Sequence, residues 1–362
     1  MNPMKTEHNI SYHLAGRDDA ALLVNFHNSY YKTTRSPEQW LWEYASRSPE
    51  KTTFSYAKQG EKIIATQGMI PIILGVSGKK VLSGKSESTL LLPDYRGTQT
   101  FTNLYEFAVE ECIRKGLRFI WGFTLATKAF DQFGFASYPD IFLMMRPGNI
   151  LTGVTNRLKK NKPLKILIGS TVKYISTYLT HRIKYSEPSY NVKNDFILKQ
   201  GMCYEPDIEK LFSRLTVQQN NNLISLCYKK EYLDWRVRQN PFLRYDEFQV
   251  YDGSDLKAYA IVASGDGVVT ISDITSEDPA ATTLLIQNII NKHKRQTGEF
   301  RFLGNAKDIL SQDIFNQLAN YGFVIDKQWN LVLRDLTGGE YTQIFDIKNW
   351  HINALWTEGV SM

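Results

Sequence analysis

Two stretches of the chain repeat one order of apolar and polar positions. A Trp-bearing helical stretch, Trp42-Glu43-Tyr44-Ala45-Ser46-Arg47-Ser48-Pro49, runs into a proline, and so does Trp235-Arg236-Val237-Arg238-Gln239-Asn240-Pro241. The two-residue alternation of a half-buried strand follows in each, at 53–57 and 248–251. Each series later ends a helix with an aromatic-Gly-Phe unit, Phe133-Gly134-Phe135 and Tyr321-Gly322-Phe323. From proline to that glycine is 85 residues in the first series and 81 in the second. The same order at the same spacing indicates an internal duplication.

The periodicities predict mixed α/β structure in each half. In the first, Asp18 caps a helix over 19–30, and Ser36-Pro37-Glu38-Gln39 is a capping box with proline at the first helical position, starting a helix through Tyr44. Strands are expected at 53–58, at 62–74 with a break at Gly68, and at 86–92. A helix from about Thr100 to Lys115 stops at Gly116. A buried strand at 118–123, a helix at 125–133 and a strand at 141–146 complete the half. The second half repeats the scheme from about Met202, with strands at 248–251, 258–263 and 268–275 and a helix at 280–296. The expected class is α/β, two tandem domains, each a twisted mixed sheet flanked by helices. Domain ranges of 1–145 and 201–340 follow, with a linker at 146–200 and a packed tail at 341–362.

Composition agrees with two domains, because 362 residues exceed what one hydrophobic core organises. An apolar fraction of 43% with 22% charged residues is that of a globular protein. Cys112, Cys203 and Cys227 lack C-x-x-C spacing and offer neither a disulfide framework nor a zinc site, and the six histidines show no metal-ligand spacing. No metal is therefore expected. The N-terminus carries no signal-peptide pattern and no apolar run approaches about 20 residues, so a cytoplasmic location is expected.

The net charge of +6 is concentrated. Residues 146–185 hold nine Lys/Arg and no Asp/Glu, and the remainder, 34 basic and 37 acidic residues, is slightly acidic. Arg157, Lys159, Lys160, Lys162, Lys165, Lys173, Arg182 and Lys184 are mixed there with Leu164, Ile166, Leu167, Ile168, Val172, Ile175, Tyr178 and Leu179. Such a segment, 157–184, can lie on an anionic membrane, attract an anionic substrate, or pack its apolar face as a helical linker. Nucleic acid is not an expected partner, since no reader motif accompanies the charge. The tail, with Trp350 and Trp356, is too apolar to be loose and is expected to pack as a strand or short helix.

The chemistry concentrates in Thr89-Leu90-Leu91-Leu92-Pro93-Asp94-Tyr95-Arg96-Gly97-Thr98-Gln99-Thr100-Phe101. An apolar strand stops at a proline, a turn holds Arg-Gly, and a helix begins. A helix N-terminus carries unpartnered N–H groups and about half a positive charge, so strand–turn–helix with a glycine can cradle a pyrophosphate. Leu92-Pro93-Asp94-Tyr95-Arg96-Gly97 is similar to the His-Pro-x-Tyr-Arg-Gly stretch of GNAT acetyltransferases, and Gly134-Phe135 lies where that family has its own Gly-Phe. The resemblance covers 1–145 well and 200–335 weakly.

What the resemblance implies is specific. Strands 86–92 and 118–123 would be a splayed parallel pair holding the pantetheine arm of acetyl-CoA. Amides of Leu91 and Leu92 would contact that arm, those of Gly97, Thr98, Gln99, Thr100 and Phe101 would hold the pyrophosphate beside Arg96, and Thr124 and Lys128 would reach the cofactor from the other side. The chain departs from the family's usual Gln/Arg-x-x-Gly-x-Gly/Ala turn at Asp94 and Gln99. Phe130 stands where many relatives have a tyrosine that protonates the leaving thiolate. Glu87 is the candidate base for an amine nucleophile, and strand alternation would put Glu87, Thr89 and Leu91 on one face. The matching turn of the second half, Ser276-Glu277-Asp278-Pro279-Ala280, starts a helix soundly but has no glycine or arginine and two carboxylates, which repel a pyrophosphate. The reading is an acetyl-CoA-dependent N-acyltransferase acting on a small-molecule or cell-envelope-precursor amine by direct attack on the thioester. The alternatives are a Fem-type transferase with an acyl-tRNA donor and a catalytically silent binding protein of the same fold.

Overall fold

The computed structural model describes residues 9–46, 52–158, 168–172, 174–176, 178–179, 195–228 and 230–356, with Arg157 described by its backbone alone. Strands in chain order are β1 (Ile10–Leu14), β2 (Thr53–Gln59), β3 (Lys62–Val76), β4 (Lys79–Leu91), β5 (Phe119–Thr124), β6 (Ala136–Pro147), β7 (Phe196–Gln200), β8 (Ile224–Leu226), β9 (Arg244–Asp252), β10 (Asp255–Gly265), β11 (Val268–Ser276), β12 (Glu299–Asn305) and β13 (Val324–Asp335). Helices are α1 (Ala20–Tyr31), α2 (Pro37–Ala45), α3 (Thr100–Arg114), α4 (Thr127–Asp131), α5 (Ile150–Leu158), α6 (Glu205–Gln218), α7 (Lys230–Leu233), α8 (Pro279–His293) and α9 (Ile309–Asn320).

The chain divides into two compact units. One gathers the residues up to Leu74, Lys80–Ser137 and Leu331–Phe345; the other gathers Gly75–Lys79, Tyr138–Asn330 and the residues from Asp346 onward. Within the first the strand order is β1-β2-β3-β4-β5 followed by residues 331–335 of β13. Within the second it is β7-β9-β10-β11-β12-β6. The two orders correspond strand for strand, so the duplication is present in the topology. Each unit takes its sixth strand from the other half of the sequence. The strand ending the first half, observed as β6, pairs antiparallel with β12 over Glu299↔Pro147 to Asn305↔Ile141, and a boundary at residue 145 does not capture this exchange.

Local signals explain most element boundaries. Ser36 Oγ accepts from the Gln39 amide at 3.3 Å while Gln39 Oε1 accepts from the Ser36 amide at 2.9 Å, the reciprocal box read from the sequence. Asp278 caps α8 through the amides of Ala280 and Ala281 at 2.7 and 3.2 Å, with Pro279 at the first position. Asp18 does not cap α1: Arg17–Asp19 forms a 3₁₀ turn, and Asp19 instead accepts from the Gly16 amide at 2.8 Å. Strand β4 begins at Lys79, seven residues earlier than the apolar run suggests, because its first half, Lys79-Lys80-Val81-Leu82-Ser83-Gly84-Lys85, holds only two large apolar residues. The tail folds as 3₁₀ turns at Thr342–Phe345, Ile347–Asn349 and Ala354–Trp356.

The cores differ in kind. In the first unit Tyr105 of α3 stacks on Phe133 at 4.9 Å, with Phe101, Phe130 and Phe135 around it. In the second, α8 packs Leu285, Ile286 and Ile289 against Phe248, Ala260, Ile271 and Phe300.

Strand β3 runs unbroken through Gly68. The glycine serves close packing: a Cβ there would meet the Glu87 carbonyl oxygen and Tyr44 Cε1, both at 3.1 Å, and Phe54 Cδ2 at 3.2 Å. Gly68→Ala is therefore expected to lower stability by roughly 1–3 kcal/mol in a denaturant titration. A variant as stable as the parent would show that these neighbours give way freely.

Candidate active site

Strands β4 and β5 pair in parallel over just two positions, Gly84↔Ile120 and Lys85↔Trp121. One residue further, Gly122 still lies close enough that a Cβ would sit 3.1 Å from the Ser86 carbonyl oxygen. At Ser88 the backbone turns left-handed, φ +49, a conformation that costs a non-glycine residue energy and shifts strand register. Thr89 Oγ1 donates to Gln67 Oε1 at 2.7 Å, and the Gln67 amide donates to Ser86 Oγ at 3.0 Å. Thr89 thus shares a face with Ser86 and not with Glu87. Regular alternation across 87–91 fails because the turn at Ser88 inserts one residue.

The left-handed residue is braced from α2. The Tyr44 hydroxyl lies 2.7 Å from Ser88 Oγ, Arg35 stands over the Tyr44 ring at 5.6 Å, and Arg35 is paired with the buried carboxylate of Glu43. Tyr44 and Ser88 escaped the sequence reading; the only hint was a tyrosine beside the Trp-bearing repeat.

Glu87 is buried, its carboxylate in contact with the ammonium of Lys85, which is buried as well and lies 5.9 Å from the Trp121 ring centroid. The two residues are separated by one position on β4, so the pair lies on one face of the strand just before it parts from β5. The carboxylate is therefore not a solvated strand end.

Beyond Leu91 the chain makes a 3₁₀ turn, Pro93–Tyr95, and enters α3. The Leu92 amide donates to the Ile64 carbonyl oxygen at 2.9 Å and is spent on β3, which corrects the expectation that it faces a pantetheine arm. Strand alternation turns the Leu91 amide the opposite way, away from β3. Gly97 has φ +79, which favours glycine, and open space where a side chain would project. Two of the expected cradle amides are engaged inside the turn: Thr98 N–H with the Tyr95 carbonyl at 3.3 Å, and Thr100 N–H with Thr98 Oγ1 at 3.2 Å. Helix α3 starts from Gln99 without a side-chain cap. Arg96 reaches the Tyr30 hydroxyl at 2.7 Å, and the Phe101 ring packs on Phe133 at 5.3 Å. Across the gap, Thr124 Oγ1 accepts from the Ala126 amide at 2.9 Å and Lys128 is exposed on α4. Phe130 is buried in the aromatic core, edge-on to Tyr105 at 5.8 Å, and has no route to a thiolate.

Cys112 and Cys203 do not supply a nucleophile in this region. None of the three cysteines forms a disulfide; burial pushes the Cys112 thiol up to about 12 and the Cys203 thiol well above its ordinary value. Among the described residues no cluster of His, Cys, Asp and Glu could hold a metal ion, and no helix is long and apolar enough to cross a membrane.

The second unit repeats the parting of strands. Strands β11 and β12 pair in parallel over Val268↔Glu299 to Ile271↔Phe302, and Ser272 is the extra residue in the register with β10. Past it lies a buried polar network that no spacing in the sequence announced. Asp273 accepts from Tyr228 at 2.5 Å, Tyr259 at 2.6 Å and Asn353 at 2.8 Å. His351 Nε2 lies 2.8 Å from Thr275 Oγ1 and its Nδ1 2.7 Å from Asp308 Oδ2. Burial opposes a charge on His351, yet the Asp308 carboxylate more than offsets it, so the imidazole holds its proton above the usual histidine range.

The fold has counterparts among solved structures. Residues 11–137 match the acetyltransferase (GNAT) domain family. The fold of the chain is similar to a GCN5-related N-acetyltransferase from Anabaena variabilis, with 14% identity and a TM-score of 0.59 over 90% of this chain and 73% of that one. A tandem GNAT protein from the clavulanic acid biosynthesis pathway shares 11% identity at a TM-score of 0.57, covering 90% of this chain and 98% of its own. N-myristoyltransferase from Saccharomyces cerevisiae, solved with myristoyl-CoA bound, shares 13% at 0.55, covering 91% and 84%. At such identities the likeness is one of fold. No curated protein matches the chain.

The buried Lys85–Glu87 pair makes a direct prediction. Lys85→Met strands the carboxylate in the interior and should cost roughly 3 kcal/mol in chemical denaturation, whereas the double variant with Glu87→Leu should recover most of the loss. Equal losses in single and double variants would mean that packing, not pairing, holds this face.

Proposed function

We propose that the first unit is an acetyl-CoA-dependent N-acyltransferase acting on an amine by direct attack on the thioester. The observation that carries the reading is the parting of β4 from β5 after two paired positions, with the Gly97 turn and the uncapped start of α3 at its far end. A parted strand leaves N–H groups that an extended amide-rich arm can pair with, as a missing strand would. The Leu91 amide serves that role, and the open space at Gly97 admits a phosphate to the amides of the turn and first helical residues, with Arg96, Thr124 and Lys128 at the margin. Glu87 takes the proton the amine loses on attack, and Lys85 holds its carboxylate in place. With Phe130 in the core, the departing thiolate takes its proton from water or from the acceptor.

Calorimetric titration with acetyl-CoA tests the donor, with Gly97→Glu as control. Micromolar binding by the parent, lost in a folded Gly97→Glu chain, supports the cradle; no binding by the folded parent removes the acetyl-CoA reading in favour of an acyl-tRNA donor or a silent scaffold. Glu87→Gln should then lower kcat by about 100-fold with little change in the KM for acetyl-CoA.

A peripheral membrane contact through 157–184 completes the proposal. Arg157, by its side chain, and Lys159, Lys160, Lys162, Lys165, Lys173, Arg182 and Lys184 lie outside the described residues, but the helical residues between them are informative. Ile168, Val172 and Leu179 recur at helical spacing and are exposed, at 56%, 60% and 53%, so this apolar face is not packed. Cosedimentation with vesicles containing anionic lipid should be strong at low salt and fall steeply as salt rises. Equal binding to neutral vesicles, or none to either, would refute the contact.

A further inference from the structure

In the second unit the gap between the parted strands is not open. Residues 350–356 lie across it, held from both sides by side chains that belong to its walls. At the end of β12, Asn305 Nδ2 donates to the carbonyl oxygens of Ile347 and Trp350, at 2.7 and 2.9 Å. From β11, Thr275 meets His351 and Asp273 accepts from Asn353. His351 spans the gap, because its other ring nitrogen reaches Asp308 at the start of α9, just beyond β12. The His351 amide donates to the Ile224 carbonyl of β8 at 2.9 Å, and the Tyr232 hydroxyl of α7 donates to the Leu355 carbonyl at 3.0 Å.

The segment is held as a bound ligand is held. The carbonyls of Trp350 and Leu355 and the side chains of His351 and Asn353 are met by groups from other elements, and the segment's apolar side chains are out of water: Trp350 and Trp356 are fully buried, 5.7 Å apart. The walls suit such an occupant and not an anionic one. At the turn after β11 Glu277 is ion-paired with Arg214 and Lys257, and the Asp278 side chain already occupies the first amides of α8, which an anion would otherwise use.

We propose that the parted strands of the second unit form a binding site whose ligand is the chain's own segment 350–356, so that each chain takes up one acyl donor, in the first unit. The stoichiometry rests on the donor reading given above; the self-occupancy does not, and the two are measured separately. Hydrogen exchange on the full chain reads the occupancy. The amides of His351, Leu355 and Trp356 should exchange as slowly as those of β11, unchanged by saturating acetyl-CoA. His351→Ala should speed them by roughly tenfold or more, as loss of a buried hydrogen-bonded group predicts, and leave α3 unaffected. If His351→Ala fails to fold, the milder Asn353→Ala reads the same amides. Fast exchange in the parent, or exchange accelerated by the ligand, overturns the proposal. Calorimetry reads the count: one acetyl-CoA per chain is expected, none in Gly97→Glu. Two per chain, or binding that persists in Gly97→Glu, also overturns it. A parent that binds no acetyl-CoA but keeps slow exchange defeats the donor reading alone.

Discussion

An extra residue in one strand of a parallel pair leaves the two without a common register beyond it, and the first unit is organised around one such residue. Ser88 is held in the left-handed region by its contact with Tyr44, which is in turn fixed by Arg35, Glu43 and the close packing over Gly68. Several groups on which the proposed chemistry rests flank that point. Before it sits the buried Lys85–Glu87 pair; after it, the Leu91 amide and the turn into α3. Remove the constraint and β4 could continue alongside β5, closing the place where a donor's arm would lie.

The strain is affordable because the surroundings over-determine it. Ser86 Oγ takes hydrogen bonds from Gln67 and from Tyr105, the latter at 3.1 Å, and Thr89 closes back onto Gln67. Burial drives the Tyr105 phenol well above its ordinary titration range, so it stays a neutral donor in that set. A polar cluster that is satisfied on all sides rigidifies the strand where it must depart from regular geometry.

Much of this was legible in the sequence, for identifiable reasons. The Ser36 box, the Asp278–Pro279 helix start and the Gly97 turn are local devices whose residues are adjacent, so short-range rules find them. The duplication showed through the Trp…Pro and aromatic-Gly-Phe punctuation. What stayed hidden depends on contacts between residues far apart. Nothing near Ser88 signals that Tyr44 will brace it, and alternation alone put Thr89 on the wrong face. Leu92 was assigned to the donor because spacing cannot tell which way a given amide points. The exchange of sixth strands is invisible for the same reason: β6 and β13 read as ordinary strands wherever they pair.

The two units show what happens to such a gap when its chemistry changes. Ser272 repeats the extra residue, so β11 and β12 part as β4 and β5 do. A gap between parted strands exposes unpaired backbone and apolar side chains, and both carry a cost that must be met by some occupant or by water. The first unit keeps a glycine turn and an arginine at the far end, which suit an anionic cofactor. The second carries Asp278 as a helix cap, which occupies the amides an anion would use. Once an anion is excluded, the least costly occupant is one that is always at hand, and a segment joined to the same chain has a high effective concentration at the gap. The parting of the strands recurs in both units, and in the second the gap is filled by a segment of the chain itself.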